Sequence, residues 1–254
     1  MTAYPGGPGT RAFAHRGWHI GDLAGCENSL AAFTRAVAEG FRYLETDVHA
    51  TADGVLVAFH DHFLDRATDG RGRISKLSWN QVRTARIGGR EPIPLLAEVL
   101  EALPDTYVNI DPKTDAAVGP LIDLLRTSGS SNRVGLGSFS DARLAALRTA
   151  VGPDIATSMG PREVGRLLIA AKLGLRPGNS SGAAAQVPVR FGRTTVVSPR
   201  FLTKAHGVGI EVHVWTIDDA AEMHRLLDLG VDGIMTDRPD RLRQVLIDRG
   251  QWPS

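Results

Sequence analysis

Cysteine is nearly absent: Cys26 stands alone in 254 residues, so no disulfide can close within the chain and nothing calls for an oxidising compartment. Neither sign of charge dominates, with 29 Lys and Arg against 28 Asp and Glu and a formal net charge of +1. A protein that follows a nucleic-acid backbone needs a large excess of cations, so nucleic acid is not an expected partner. Any phosphate chemistry must be local. Long apolar runs are missing too. No stretch approaches the roughly 18 apolar residues of a membrane span, and residues 1–10 have neither the basic nor the apolar region of a secretory signal. We therefore expect a soluble, cytoplasmic protein without stable membrane insertion. Its oligomeric state is not legible.

What is present is ordinary globular material, 43% hydrophobic and 22% charged, in a chain whose length suits one (β/α)₈ barrel. The Pro- and Gly-rich residues 1–10 predict a flexible leader, and residues 11–250 a single α/β domain. Eight β-rich runs alternate with helical patterns, the form of βα units around a parallel sheet. The predicted strands are Phe13–His15, Tyr43–Val48, Val55–His60, Tyr107–Asp111, Val134–Phe139, Ile155–Ser158, Glu211–Trp215 and Gly233–Thr236. Helices are predicted over 29–38, 95–103, 118–125, 142–147, 164–173 and 220–229, from apolar residues recurring on one face. Residues 65–92 and 176–194 read as loops, the second because Val187-Pro188-Val189 is short and carries a proline.

Charged residues at the ends of buried strands are costly unless they serve a purpose. Here they gather. His15 ends the first run, Glu45 and Asp47 the second, His60 and Asp61 the third, Asp111 and Lys113 the fourth. The C-terminal ends of barrel strands open onto one face, so these residues are expected at one mouth. Glu45 and Asp47, two apart on a strand, share a face and can reach one ion. With Asp111 they supply three oxygen ligands, which suit a hard divalent cation such as Mg²⁺ or Ca²⁺. His15 and His60 are placed to take a proton from an attacking oxygen and give one to a leaving alkoxide, the two transfers a phosphodiester cleavage needs. Arg16 and Lys113 can bind the non-bridging phosphate oxygens or balance the carboxylates. The other histidines, His19 and His49 among them, read as surface or packing residues.

The strings His15-Arg16-Gly17, Glu27-Asn28-Ser29, Glu45-Thr46-Asp47, Asp53-Gly54-Val55 and Val57-Ala58-Phe59-His60-Asp61, with Trp215-Thr216 and Thr236-Asp237 later, resemble the glycerophosphodiester phosphodiesterase family. The resemblance implies a (β/α)₈ barrel that hydrolyses a glycerophosphodiester to an alcohol and glycerol 3-phosphate with Mg²⁺ or Ca²⁺. By motif position it makes His15 and His60 the catalytic pair, Glu45, Asp47 and Asp111 the metal ligands, and Arg16 and Lys113 the phosphate-binding cations. It also places Glu27 close to the metal and Trp215 at the barrel mouth. Three positions depart from the pattern. Asp111 stands where Glu is usual, Cys26 where Pro is usual, and Trp18 where a small residue is common, favouring either an apolar alcohol at the mouth or packing on the rim.

Two other readings compete. One is a lysophospholipase D or sphingomyelinase D type activity on lipid phosphodiesters, for which Arg66, Arg71, Arg73 and Lys76 could face an anionic membrane. The other is a non-catalytic barrel that binds a phosphorylated ligand. The attacking oxygen is either water or the substrate's own glycerol hydroxyl.

Overall fold

The structure, a computed structural model, describes Tyr4, Gly6 and residues 9–252. In chain order its strands are β1 (Arg11–His15), β2 (Tyr43–Ala50), β3 (Leu56–Ala58), β4 (Arg86–Ile87), β5 (Glu91–Pro92), β6 (Tyr107–Pro112), β7 (Val134–Leu136), β8 (Ala156–Thr157), β9 (Ala184–Pro188), β10 (Arg190–Phe191), β11 (Thr194–Thr195), β12 (Glu211–Trp215) and β13 (Gly233–Thr236). Eight of them run parallel in the order β8, β7, β6, β2, β1, β13, β12, β9. A parallel bridge between Ser158 and Ala184 brings the two ends of that order together. This is a nearly closed (β/α)₈ barrel in one domain.

The count of eight matches the expectation, but its membership differs at two places. Val55–His60 is not a barrel strand: β3 turns back after Thr51–Gly54 and pairs antiparallel with the upper half of β2, Val48 against Ala58. The missing barrel strand is β9, inside the segment expected to be a loop. Its proline is tolerated because Pro188 is the last residue of the strand, opposite Trp215, where a missing N–H breaks little of the ladder. The small Ala184 and Ala185 that weaken its strand signal are buried.

Around the barrel lie α1 (Leu30–Ala38), α2 (Trp79–Val82), α3 (Leu96–Ala102), α4 (Val118–Thr127), α5 (Asp141–Val151), α6 (Pro161–Leu173), α7 (Pro199–His206), α8 (Ala220–Leu229) and α9 (Pro239–Asp248). α1 starts where Ser29 accepts from the Ala32 N–H, as an N-cap should. Neither α7 nor α9 was expected. Each opens on a proline at its first turn, a start signal there rather than a break. The other expected loop, residues 65–92, carries α2 and the β4–β5 hairpin and buries a satellite core of Phe59, Leu64, Ile74, Val82, Ile87 and Ile93.

The leader, residues 1–10, lies partly outside the described residues. Of those described, Tyr4 is buried, its hydroxyl donating to the Asn109 carboxamide at 3.1 Å and its ring 6.3 Å from that of Tyr107. Tyr4 therefore plugs the barrel beside Gly135, whose added Cβ would meet Tyr4 Cε1 at 2.1 Å. Among the described residues, no helix is long and apolar enough to cross a membrane.

Candidate active site

Strand register does most of the assembly. β1 pairs His15 with Glu45, and β6 sets Asn109 beside Glu45 and Asp111 beside Asp47. Neighbouring strands are about 4.8 Å apart, and alternate residues share a face. One patch of the barrel's C-terminal rim thus carries His15, Glu45, Asp47 and Asp111, with Lys113 just beyond β6. His60 arrives differently. It follows β3, and the Phe59 N–H donating to the Asp47 carbonyl ties its hairpin back over β2.

The connection after β1 is tightly wound. Arg16 and Asn28 have φ of 58° and 60°, a region that costs side-chain-bearing residues energy and recurs at functional sites. Backbone bonds hold them there: the Arg16 N–H donates to the Glu45 carbonyl and the Asn28 N–H to the Arg16 carbonyl. Gly17 is required, because a Cβ there would sit 2.8 Å from the Ala32 backbone. Asn28 then donates to Asp47 at 3.3 Å and accepts from Thr46 at 2.8 Å, joining the Glu27-Asn28 string to the floor of the site.

Each candidate catalytic histidine has its own carboxylate. His15 Nδ1 is 2.6 Å from Asp237 Oδ1, and His60 Nδ1 is 2.6 Å from Asp61 Oδ1. A carboxylate on Nδ1 fixes the tautomer that leaves Nε2 free for proton transfer. Burial pushes the His15 imidazole down, but Glu45 and Asp237 outweigh it and its pKa is raised. Asp237 is held in turn by its backbone N–H, which donates to Asp218 Oδ1 at 2.8 Å. Two residues read as surface or packing have other places. His19 Nε2 lies 3.2 Å from the same Asp237 oxygen, and buried His49, pushed down to about 4 by desolvation and hence neutral, donates from Nε2 to the His60 carbonyl.

The cations are tightly held. Lys113 Nζ is 2.5 Å from Asp47 Oδ1 and 2.8 Å from Asp111 Oδ2, and Arg16 bridges Asp47 and Glu27, each at 3.2 Å. The Arg16 Nε to Asp47 contact is an ion pair by distance without hydrogen-bond alignment. Arg66, singled out with a basic loop group, instead donates to both Asp61 and Glu27. It braces the His60 hairpin against the loop after β1. Burial pushes Asp47 up, yet Lys113 and Arg16 keep it below its ordinary value. Glu45 behaves oppositely: burial and neighbouring Asp47 raise it. Asp111 is also raised by burial, with Lys113 opposing.

Among the described residues, no group of three or more His, Cys, Asp or Glu side chains stands as a ready metal set. The donor chemistry nonetheless fits a hard cation. Glu45, Asp47 and Asp111 outnumber Arg16 and Lys113, and Glu45 Oε2 is buried with no hydrogen-bond partner, 3.5 Å from His15 Nε2. A buried, uncompensated carboxylate beside a second one is a place where positive charge is missing.

These groups line one end of a cavity of about 510 Å³. The other end is apolar, formed by Phe139, Met159, Val164, Leu168, Phe191 and Trp215. Trp215 does lie at the mouth, edge-on to Phe139 with centroids 5.3 Å apart. Trp18 does not. It is buried against Phe41, 6.2 Å between rings, so its bulk serves packing. Cys26 is buried as well, its sulfur 3.2 Å from an Arg90 guanidinium nitrogen. Asp237 and Asp61 were absent from the candidate set. Each carried a signal: Asp61 adjoins His60, and Thr236-Asp237 ends a predicted strand.

Two histidine–carboxylate couples beside buried carboxylates and two cations, at the C-terminal rim of a (β/α)₈ barrel, fit the class of phosphoric diester hydrolases. The Glycerophosphoryl diester phosphodiesterase family model matches residues 15–241, and the chain belongs to this family. A Mycobacterium tuberculosis protein named probable glycerophosphodiester phosphodiesterase 2 is 42% identical, covering 96% of this chain and 93% of its own. Human lysophospholipase D GDPD1 is 28% identical, covering 93% of this chain and 86% of its own. The fold matches an Oleispira antarctica phosphodiesterase solved with the product sn-glycerol-3-phosphate, with a TM-score of 0.76, 22% identity, and coverage of 94% of this chain and 97% of that one.

Proposed function

We propose that this site cleaves glycerophosphodiesters to an alcohol and glycerol 3-phosphate, with His15 and His60 as acid and base and a divalent cation, Mg²⁺ or Ca²⁺, held by Glu45, Asp47 and Asp111. The observation that carries this reading is the pair of imidazoles, each with Nδ1 on its own carboxylate, over a cluster of buried carboxylates. The cation's contribution, when bound, is to neutralise charge developing on the phosphoryl oxygens. Arg16 and Lys113 add to that neutralisation, Lys113 from a position between Asp47 and Asp111. Asp237 and Asp61 steady the two imidazolium forms that alternate during proton transfer. Glu27 acts through Arg16 and Arg66, holding the first toward the site and the second under Asp61.

The test is alcohol release from several glycerophosphodiesters by the wild-type chain, His15→Ala and His60→Ala, with EDTA and then with Mg²⁺ or Ca²⁺ restored. Loss of turnover in both variants with the fold retained, and recovery of wild-type activity on adding an ion back, are expected. Near-wild-type activity in either variant overturns the assignment.

The apolar end of the cavity favours a second reading, a lysophospholipase D type activity in which the leaving alcohol carries an acyl chain. The relative named lysophospholipase D makes this a natural comparison. Turnover of lysophosphatidylcholine below that of glycerophosphocholine would reject it as the main activity.

A further inference from the structure

Charge is unevenly divided along a chain that is nearly neutral overall. Residues 161–206 hold eight Lys and Arg and one acid, Glu163, leaving 21 cations against 27 acids for the rest. That one acid is buried and paired with Arg148 at 2.8 Å, so it offsets little at the surface. The segment spans α6, the β10–β11 hairpin and α7. α6 and α7 both begin at the mouth end of the barrel, because each follows the outgoing end of a strand.

At that end the cations are available. Arg190, Arg193 and Arg200 are exposed and form no ion pair among the described residues, and Arg162 reaches Asp141 only at 3.8 Å. Between Arg190 and Arg193, on the hairpin, Phe191 is 78% exposed. Phe139, 65% exposed, also stands at the mouth. Large apolar side chains set among unpaired cations form the chemistry that binds an anionic lipid surface: cations meet headgroups while aromatic rings enter the interface. Phe139 and Phe191 both line the cavity as well, so the apolar end of the catalytic pocket opens through this face.

We propose that the face formed by the start of α6, the β10–β11 hairpin and the start of α7 docks on an anionic bilayer surface, with Phe191 as the inserting side chain and Arg190 and Arg193 beside it as headgroup contacts. The Arg66 to Lys76 group is a different surface, and Arg66 there is committed to Asp61 and Glu27. Docking does not depend on the acid and base roles or on the cation, because binding alone reads it out.

The experiment is flotation of the full chain with vesicles of phosphatidylcholine alone and of phosphatidylcholine mixed with phosphatidylglycerol. Binding to the mixed vesicles only, weakening with added salt, is expected. A cation near an anionic surface contributes about fivefold to partitioning, so Arg190→Glu with Arg193→Glu should lower it by roughly thirtyfold or more. Phe191→Ser should lower it as well, while Arg71→Glu with Arg73→Glu, the same change of net charge elsewhere, should leave it near wild type. Hydrolysis of a soluble glycerophosphodiester by the Arg190/Arg193 variant should match the wild-type rate and establish that it is folded. No binding to the mixed vesicles overturns the proposal. So does an equal loss in both double variants, or binding to RNA or polyglutamate without binding to vesicles.

Discussion

Replacing Asp237 by Asn keeps the side chain's shape and removes its charge, and the surroundings favour a clean result. The Asp237 backbone N–H still donates to Asp218 and the His15 strand is untouched, so the ring stays in place. What is lost is chiefly a charged hydrogen bond of 2.6 Å to His15 Nδ1, with a longer contact of 3.2 Å to His19 Nε2 beside it. Such bonds contribute about 1.5–3 kcal/mol, and an Asp237 side chain 38% exposed puts this one toward the lower end, about 2 kcal/mol. That corresponds to roughly thirtyfold in kcat, and more if the Asn amide nitrogen turns toward Nδ1 and holds the wrong tautomer. KM should change little, because Asp237 does not line the cavity. The pH profile adds a second readout. Asp237 is one of two carboxylates that raise His15, so the Asn variant moves the His15 limb to lower pH. If the acidic limb moves, His15 is the base; if the alkaline limb moves, it is the acid. Steady-state kinetics across pH measure both. A kcat within twofold of wild type, with both limbs unmoved, would refute the argument that Asp237 governs His15.

Arg66→Ala should lower kcat about tenfold while leaving the melting temperature nearly unchanged, because it frees the His60–Asp61 hairpin from Glu27 without touching the core; kinetics and calorimetry separate the two effects. Gly135→Ala should destabilise the fold by about 2–3 kcal/mol in urea unfolding through its clash with Tyr4, and adding Tyr4→Ala should recover part of the loss. Glu211 is raised by burial but lowered further by hydrogen bonds to His213 and Arg11, so its folded-state pKa lies below the unfolded value. Its contribution is complete above the unfolded pKa and is lost as pH falls through the folded one. Glu211→Gln should cost about 2 kcal/mol at neutral pH, and urea unfolding curves of variant and wild type should converge only as pH falls below the ordinary glutamate range and through the folded-state pKa.

The site was more legible than the elements that carry it. His15, Glu45, Asp47, Asp111 and Lys113 could be placed together because a parallel register and a period of two determine which residues share a rim, and both follow from recognising strands. The exchange of β3 for β9 had opposite causes. Val57, Phe59 and their neighbours have strong strand chemistry, but they bury it in a satellite core and against the upper part of β2 rather than in the barrel wall. Ala184, Ala185 and Pro188 have weak strand chemistry, and the barrel needs small residues there. Propensity reports a side chain's own preference; closure is decided by its neighbours. Asp61 stands next to His60 in the sequence, but the carboxylate that meets His15 was out of reach for a related reason. Asp237 meets His15 across 222 residues, and no local spacing announces that pairing.

Moving His60 from a barrel strand to a hairpin changes what the two histidines can do. His15 sits in β1, bonded to strands on both sides, and its position is as fixed as the barrel itself. His60 hangs on a three-residue strand and is held by a chain of polar contacts: His49 to its carbonyl, Asp61 to its ring, Arg66 to Asp61, and Glu27 to Arg66. That chain ends on the same Glu27 that accepts from Arg16, so the more exposed imidazole is coupled to the Arg16 guanidinium through three side chains. Disturbing Arg16, Glu27, Arg66 or Asp61 should therefore displace His60 while leaving His15 in register. A barrel strand needs no such brace, and the extended chain of charges accordingly lies on the His60 side of the mouth, while His15, among the described residues, meets only Asp237 and, at 3.5 Å, Glu45.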